Sequence, residues 1–154
     1  KNFDVDETVL DELHEKGSVA ASVDQWVWRI AVGHNGVLPQ PGNHEIVKNE
    51  KAFSNFLATE NVHVYLHGHG HKFSAHQVKP AEVRNLAGMV QVMTPSLHMK
   101  KLPQDAQRGF SVIRLSSVGN DHTVTVVPFF VAEGVVTQGT SELVDEFVMR
   151  GNIR

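Results

Sequence analysis

The histidines of the segment HGHGH, residues 67–71, have the types and spacing most able to do chemistry in this sequence. Imidazole is the commonest metal ligand in proteins, and Gly68 and Gly70 let the backbone turn tightly around an ion. The chain has 10 histidines in 154 residues and no cysteine. Thiolate sites and disulfides are therefore excluded. We expect a metal site of nitrogen and oxygen ligands that includes His69 and His71.

A further histidine, His34, follows a predicted strand in the same way. The segment WVWRIAV, residues 26–32, is rich in aromatic and β-branched residues, which predicts a buried strand. VHVYLH, residues 62–67, alternates in polarity and predicts another strand, and residues 46–59 between them predict a helix. Such a βαβ unit is right-handed with parallel strands. Both histidine segments then lie at the carboxyl edge of one sheet, where open α/β sheets bind ligands, so we expect His34 near His69 and His71.

The rest of the chain predicts a second, β-rich half. Four β-rich segments after residue 72 predict an antiparallel sheet, with a hairpin turn at SSVGND, residues 116–121. Pro128 lacks a backbone N–H and belongs at a sheet edge or bulge. Residues 4–17 predict a helix, and a C-terminal tail over about 132–154 is predicted to carry another at 141–150. The apolar face of this last helix would be formed by Leu143, Val144, Phe147 and Val148.

Several of these segments together resemble the C-terminal half of a calcineurin-like metallophosphoesterase. They are VWRIAVGHNGVLP, a following helix, VHVYLHGHGHKF and a β-rich part with GFSVIRL, within about residues 20–130. The family has the ordered motifs D-x-H, G-D-x-x-D, G-N-H-[DE], a lone His after a strand, and G-H-x-H. The last two correspond to His34 and to residues 68–71 of this chain. The resemblance implies an α/β fold, a four-layer sandwich of two packed β-sheets flanked by helices. Residues 1–154 would form a single C-terminal part of that domain.

The resemblance also implies a dinuclear centre that hydrolyses phosphomonoesters or phosphodiesters. His34 and His69 would bind one ion and His71 the other, the two ions being divalent or trivalent Mn, Fe or Zn. Two such ions clamp a phosphoryl group and generate hydroxide for in-line attack. Asn35, next to His34, is expected either to contact the phosphate-ester substrate or only to shape the loop.

The sequence departs from the family pattern in its metal ligands. D-x-H and G-D-x-x-D are absent, and GNHE at 42–45 follows the strand-His motif instead of preceding it. Asn43 is better explained as a helix cap, so Asn43 and His44 are excluded from the predicted site. The chain opens without Met, which suggests a fragment. We therefore expect little activity from this chain alone, and the missing N-terminal half of the domain as its partner.

Two alternatives remain at this stage. The chain could be a non-catalytic, degenerate phosphoesterase-like module for partner binding or regulation. It could also be a mononuclear zinc hydrolase that uses His34, His69, His71 and a water, which is a legitimate catalytic zinc set.

The composition and net charge disfavour two other classes of function, nucleic-acid binding and membrane association. With 14 basic and 17 acidic residues the net charge is −3, which disfavours non-specific nucleic-acid binding. No apolar run approaches the roughly 20 residues of a membrane span, so we expect no membrane partner and a cytoplasmic location. Trp26 and Trp28 are expected in the core or at an interface, and His98 and His122 at the surface or in turns. An unpaired half-sheet would expose apolar surface, which predicts self-association.

Overall fold

The computed structural model describes residues 6–17, 26–39, 46–97 and 106–150. The helices are α1 (Glu7–Gly17) and α2 (Glu50–Thr59), with short 3₁₀ turns at Arg84–Leu86 and Ser141–Leu143. The strands are β1 (Ile30–Val32), β2 (Val64–His67), β3 (Ser74–Gln77), β4 (Val90–Met93), β5 (Gly109–Val118), β6 (Asp121–Ala132), β7 (Val135–Gln138) and β8 (Asp145–Arg150). Within these ranges no helix is long and apolar enough to cross a membrane.

The first sheet contains the predicted βαβ unit. Its strand order is β1-β2-β4-β3, and β1 and β2 are parallel with α2 between them in sequence. β4 is also parallel to β2, and only β3 is antiparallel. The prediction of a purely antiparallel sheet after residue 72 is therefore wrong for β4. β1 occupies only one side of β2, and β4 pairs with the other side in the parallel direction.

The two faces of this sheet bury different cores. On one face α2 contributes Leu57, which packs with Tyr65 of β2 and with Val37 and Leu38 of the loop after β1. Val64 and Tyr65 are neighbours in β2, yet both are buried. The predicted polar alternation of residues 62–67 therefore does not apply here, because an interior parallel strand is covered on both faces.

The second sheet covers the other face of the first. Its order is β5-β6-β7, with β8 also paired to β6. Val124 and Val126 of β6 pack against Val64, Val90 and Val92 of the first sheet. Helix, sheet and sheet thus form successive layers. The predicted α/β fold, two packed sheets with flanking helices, is confirmed.

The hairpin between β5 and β6 forms at the predicted SSVGND segment. Val118 pairs with Asp121, and Gly119 has φ 59°. The left-handed backbone required by this tight turn is available to glycine without steric cost.

The predicted C-terminal helix is wrong. Residues Asp145–Arg150 form β8, antiparallel to β6, with Phe147 opposite Val124 and Val148 opposite Thr123. Phe147 packs into the core between the sheets, whereas Val148 is 53% exposed. The four apolar residues have the spacing of a helix, whereas the core-facing side of β8 is formed by Phe147 and Met149, which are two residues apart. The backbone N–H and C=O groups on this side of β6 need hydrogen-bond partners, and a strand supplies them where a helix would not.

Pro128 does not lie at a sheet edge, as predicted, but in the central strand β6, where it is buried. One side of β6 has two successive partners. Residues up to Val126 pair with β8, and residues from Phe129 onward pair with β7. The Pro128 carbonyl accepts a hydrogen bond from the Gly139 N–H at 2.8 Å, between these two partners. The missing N–H therefore falls where the ladder changes partner, and no strand hydrogen bond is lost.

The predicted buried strand at 26–32 is shorter and more exposed than expected. Only Ile30–Val32 is a strand, and it lies at the sheet edge with Ile30 47% and Val32 77% exposed. Trp26 and Trp28 pack partly buried against the core between the sheets, as predicted.

The predicted helix at 46–59 begins only at Glu50, because Ile46 forms a parallel bridge with Gly36. This bridge brings the end of the loop after β1 back onto the sheet. The GNHE segment at 42–45 lies outside the described residues.

Candidate functional site

The candidate site lies where β1 and β2 end side by side. Gly33, directly after β1, donates its N–H to the Leu66 carbonyl at 2.9 Å, and Gly68 donates to the His34 carbonyl at 3.2 Å. These backbone bonds connect the two loops that carry the predicted histidines. The parallel pairing predicted from the sequence therefore places His34 beside residues 67–71.

His34 and His69 are in direct contact. Nε2 of His34 and Nδ1 of His69 are 2.9 Å apart, and the ring planes are inclined by 79°. In this arrangement one ring nitrogen donates a hydrogen bond and the other accepts it. Two imidazoles with nitrogens so close can also share one cation.

His71 lies near this pair. Burial lowers the pKa of His71, and the charges of His69 and His34 lower it further. The His71 carbonyl accepts a hydrogen bond from the Gln107 N–H at 2.8 Å, which attaches the loop to the chain before β5. A positive charge on either neighbouring ring therefore disfavours protonation of His71.

The backbone of the HGHGH loop carries conformational strain. His69 has φ 62° and His71 has φ 52°, the left-handed region that residues with a Cβ rarely occupy. The sequence suggested that the neighbouring glycines would make this turn, but the histidines make it themselves. Each such residue costs on the order of 1 kcal/mol, and strain of this kind is concentrated at functional sites.

Asn35 has its side chain buried under the loop, with 5% of the residue exposed. Its backbone carbonyl accepts a hydrogen bond from the Tyr65 hydroxyl at 2.7 Å. Within the described residues its side-chain oxygen Oδ1 is buried without a hydrogen-bond partner. Asn35 therefore helps to shape the loop, and its predicted contact with substrate stays a prediction.

His67 is buried behind the pair and stacks on Tyr65, with ring centroids 5.8 Å apart. Burial lowers its pKa to about 4, against the opposing effect of a hydrogen bond with Gly68. The charges of His76, His69 and His34 lower it further. A neutral ring at this position supports the loop without adding charge next to His34 and His69.

Gln91 is a residue of the site that the sequence analysis missed. It is fully buried in β4, and its Oε1 accepts hydrogen bonds from the N–H groups of Val37 and Leu38, both at 3.0 Å. Its Nε2 donates to the Leu38 carbonyl at 2.9 Å. Gln91 thus holds the loop that begins at His34 on the sheet. The signal was a single polar residue inside the apolar strand MVQVM.

His122 is another residue whose predicted place was wrong. It was expected at the surface or in a turn, but it is 5% exposed and stacks under Trp26 with ring centroids 3.6 Å apart. Its position in β6 opposite Met149 directs it between the sheets. His98 lies outside the described residues.

The site residues fit part of a metal centre. Two nitrogens bound to one ion at about 2.05 Å are about 2.9 Å apart at a right angle and about 3.3 Å apart at a tetrahedral angle. The His34–His69 spacing matches two ligands of one ion. In the part of the chain that the structure describes, no group of three or more His, Asp or Glu side chains has the arrangement of a metal site. His34 and His69 thus hold two nitrogens near enough for one ion, and the dinuclear centre stays a prediction.

Comparison with known proteins gives structural likeness only. The sequence matches no protein-family model and no curated protein sequence. Vacuolar protein sorting 29 from Cryptosporidium parvum matches 80% of this chain at 16% identity and a TM-score of 0.47. Vps29 of Chaetomium thermophilum matches 78% at 10% identity and 0.42.

A Vps29 single mutant from Entamoeba histolytica matches 80% of the chain at 16% identity and a TM-score of 0.43. A structure described as the wild-type Entamoeba protein complexed with Zn²⁺ matches 65% of the chain at 15% identity and a TM-score of 0.37. The chain covers 58% of the Entamoeba single mutant and 55% of the Cryptosporidium protein, little more than half of each. Likeness at this level carries no argument about activity or partners.

Proposed function

We propose that this chain is a phosphoesterase-like module that binds a protein partner along the open edge of its first sheet, and that it is not a self-sufficient enzyme. The observation that carries the proposal is the exposure of Ile30 and Val32 on the edge strand β1. An exposed apolar edge strand is a template for pairing with another chain.

The backbone of β1 supports this proposal. Arg29 accepts from the Val64 N–H and Gly33 donates to the Leu66 carbonyl, so these residues direct their backbone groups toward β2. Backbone direction alternates along a strand. The N–H and C=O groups of Ile30 and Val32 therefore point away from β2, to an edge where no strand of the described residues lies, and can pair with an added strand.

The side chains of β1 add an apolar surface to these polar groups. Ile30 is in register with Val64, whose side chain lies in the core between the two sheets. Neighbouring strands share the direction of their side chains, so Ile30 and Val32 extend that core to the sheet edge. A partner strand beside β1 would bury them. Full burial of an aliphatic side chain stabilises by about 1.5–3 kcal/mol.

A concentration series of purified chain tests the proposal by sedimentation velocity. A second copy can serve as the partner, so we expect self-association that Val32→Lys abolishes. Val118→Lys is the matched control, since Val118 is 74% exposed at the far hairpin and outside β1. We expect it to associate as the wild type does. A monomeric wild-type chain at about 100 µM, or equal dissociation in both variants, would contradict the proposal.

A metal-dependent phosphoesterase is the second candidate, and the His34–His69 contact favours it. His34 is two residues beyond β1, so a partner strand there would place its own side chains beside the pair. A chain that carries D-x-H and G-D-x-x-D motifs, which residues 1–154 lack, would be such a partner. Carboxylates from it would complete the ligand set that His34 and His69 begin, with His71 nearby.

Zinc titration and a phosphodiester assay separate the two candidates. We expect the chain alone to bind Zn²⁺ weakly through His34 and His69, and a His34→Ala/His69→Ala variant to lose that binding. We expect no metal-stimulated hydrolysis of bis(p-nitrophenyl) phosphate by the chain alone. Robust hydrolysis abolished by the double substitution would instead establish the enzyme.

A further inference from the structure

The outer face of the second sheet carries an apolar patch that the proposed function does not use. Val124 and Val126 of β6 lie in the core between the sheets. Side chains alternate along a strand, so the odd-numbered residues of β6 face outward. Residues directly opposite on paired strands share a face. Six apolar residues from β5, β6 and β7 therefore lie on the outer face: Phe110, Val112, Val127, Phe129, Val131 and Val136.

This patch is open to solvent. Val112 is 46% and Val136 is 53% exposed. The rings of Phe110 and Phe129 lie stacked beside each other, with centroids 5.1 Å apart and planes inclined by 7°. Contiguous apolar surface on a soluble domain commonly marks a binding site.

A row of charged residues ends the patch on one side. Thr125 is the next outward residue of β6 after Val127. It is opposite Arg114 of β5 on one side and Glu146 of β8 on the other, and both charged residues are exposed. Two strand spacings separate their backbones, which is about 10 Å. A partner that lies along β6 therefore meets a positive charge on one flank and a negative charge on the other.

The size of the patch decides what can cover it. Its six side chains expose on the order of 400 Å², about half of the roughly 800 Å² that each partner buries in a standard protein–protein interface. A second copy laid face to face would have to bury Arg114 and Glu146 as well to reach that area.

A single helix matches these dimensions. The three strands of the patch span about 10 Å, which is the diameter of a helix. Its three apolar rows and the charged row extend over about 20 Å, the length of a helix of about 14 residues. The face of a sheet offers side chains and no backbone partners, so the occupant must satisfy its own backbone hydrogen bonds, as a helix does.

We propose that the outer face of the second sheet binds an amphipathic helix of a partner protein, about 14 residues long. Apolar side chains at positions i, i+3, i+4 and i+7 of the helix pack on Phe110, Phe129 and Val127. In the turn above Thr125, an acidic residue on one flank pairs with Arg114 and a basic residue on the other flank pairs with Glu146. This surface is separate from the open edge of β1.

Two synthetic peptides test the proposal by fluorescence polarisation. Each is an amphipathic helix of about 14 residues, stapled on its polar face because so short a helix is marginal in water. One carries Glu and Lys on the two flanks of its last turn, and the other carries them exchanged. The titrated protein is the Val32→Lys chain, so that pairing at β1 does not contribute. We expect saturable binding with about a fivefold preference for one peptide, since only one places both charges beside opposite ones.

Substitutions on the sheet locate the binding site. Val112→Lys, added to Val32→Lys, should weaken peptide binding more than about tenfold. Val118→Lys is the matched control, because Val118 is exposed on the same strand and face but beyond the charged row, and it should leave binding unchanged. Exchanging the charges by Arg114→Glu with Glu146→Arg should reverse the preference between the two peptides.

Four results would overturn the proposal once circular dichroism has shown that the variants fold. The first is no saturable binding of either peptide up to about 1 mM. The second is equal binding to the Val112→Lys and Val118→Lys variants. The third is a peptide preference that the charge exchange does not reverse. The fourth is self-association of the Val32→Lys chain that Val112→Lys removes, which would assign the face to a second copy.

Discussion

Replacing Gln91 by Met tests whether one buried side chain holds the loop that carries His34. Methionine fills a similar volume, but it can neither accept from the Val37 and Leu38 N–H groups nor donate to the Leu38 carbonyl. Val37 is fully buried and Leu38 is 8% exposed, so water does not readily replace these bonds. Each buried polar group left unpaired costs about 1–3 kcal/mol.

Three such groups predict a loss of about 3–5 kcal/mol, after allowing for some movement of the loop. That is a large part of the 5–15 kcal/mol typical of a folded domain. Urea unfolding followed by circular dichroism measures the change, and the slope m shows whether unfolding stays two-state. Because the loop would be released, the cross-peaks between the His34 and His69 rings in NMR spectra should also disappear.

Gln107→Met is the matched control. Gln107 is exposed, and its Oε1 accepts a single hydrogen bond, from the Phe73 N–H at 2.9 Å. We expect it to cost about 0.5–1 kcal/mol, because water can replace that bond. A Gln91→Met loss below about 1 kcal/mol, or no larger than that of the control, would refute the role assigned to Gln91.

Two further perturbations probe the same half of the fold. A Cβ at Gly33 would lie 2.1 Å from the buried Tyr65 hydroxyl, so Gly33→Ala should destabilise by about 2–4 kcal/mol, measured by urea unfolding. Tyr65→Phe alone should cost about 1–2 kcal/mol, because the Asn35 carbonyl loses its hydrogen-bond donor. The Gly33→Ala/Tyr65→Phe double variant should be more stable than the sum of the two single losses predicts, because the hydroxyl that clashes is gone. Strictly additive losses would contradict the clash. The depressed pKa of His63, about 4, means that the unfolded chain binds the proton more readily, so stability should fall as pH drops from about 6.5 to 4. His63→Gln can still accept a hydrogen bond from the Arg29 N–H. Across that pH range its free energy of unfolding should fall by about 1–2 kcal/mol less than that of the wild type, allowing for partial exposure of His63. Equal falls in the two proteins would show that His63 does not titrate as stated.

The local arrangement of the candidate site followed from the sequence. The order of strand, His34, helix, strand and HGHGH requires parallel neighbours, and parallel neighbours place the two loops side by side. The contact between His34 and His69 is the consequence. What the sequence could not supply was the support beneath the loop. Gln91 lies more than 50 positions away from Val37 and Leu38, and only the β2–β4 pairing brings it under them.

The amino-acid pattern by itself determined the α/β class, the βαβ unit, the β5–β6 hairpin and the proximity of His34 and His69, because each depends on local periodicity or on neighbouring elements. The tertiary structure decided the rest. The apolar residues 143, 144, 147 and 148 have the spacing of a helix, but pairing with β6 made residues 145–150 a strand. WVWRIAV has the composition of a buried strand, and the place of β1 at the end of the sheet left Val32 exposed. Pro128 lies in a central strand because β8 stops and β7 begins beside it, a change of partner that depends on residues before and after it in the chain.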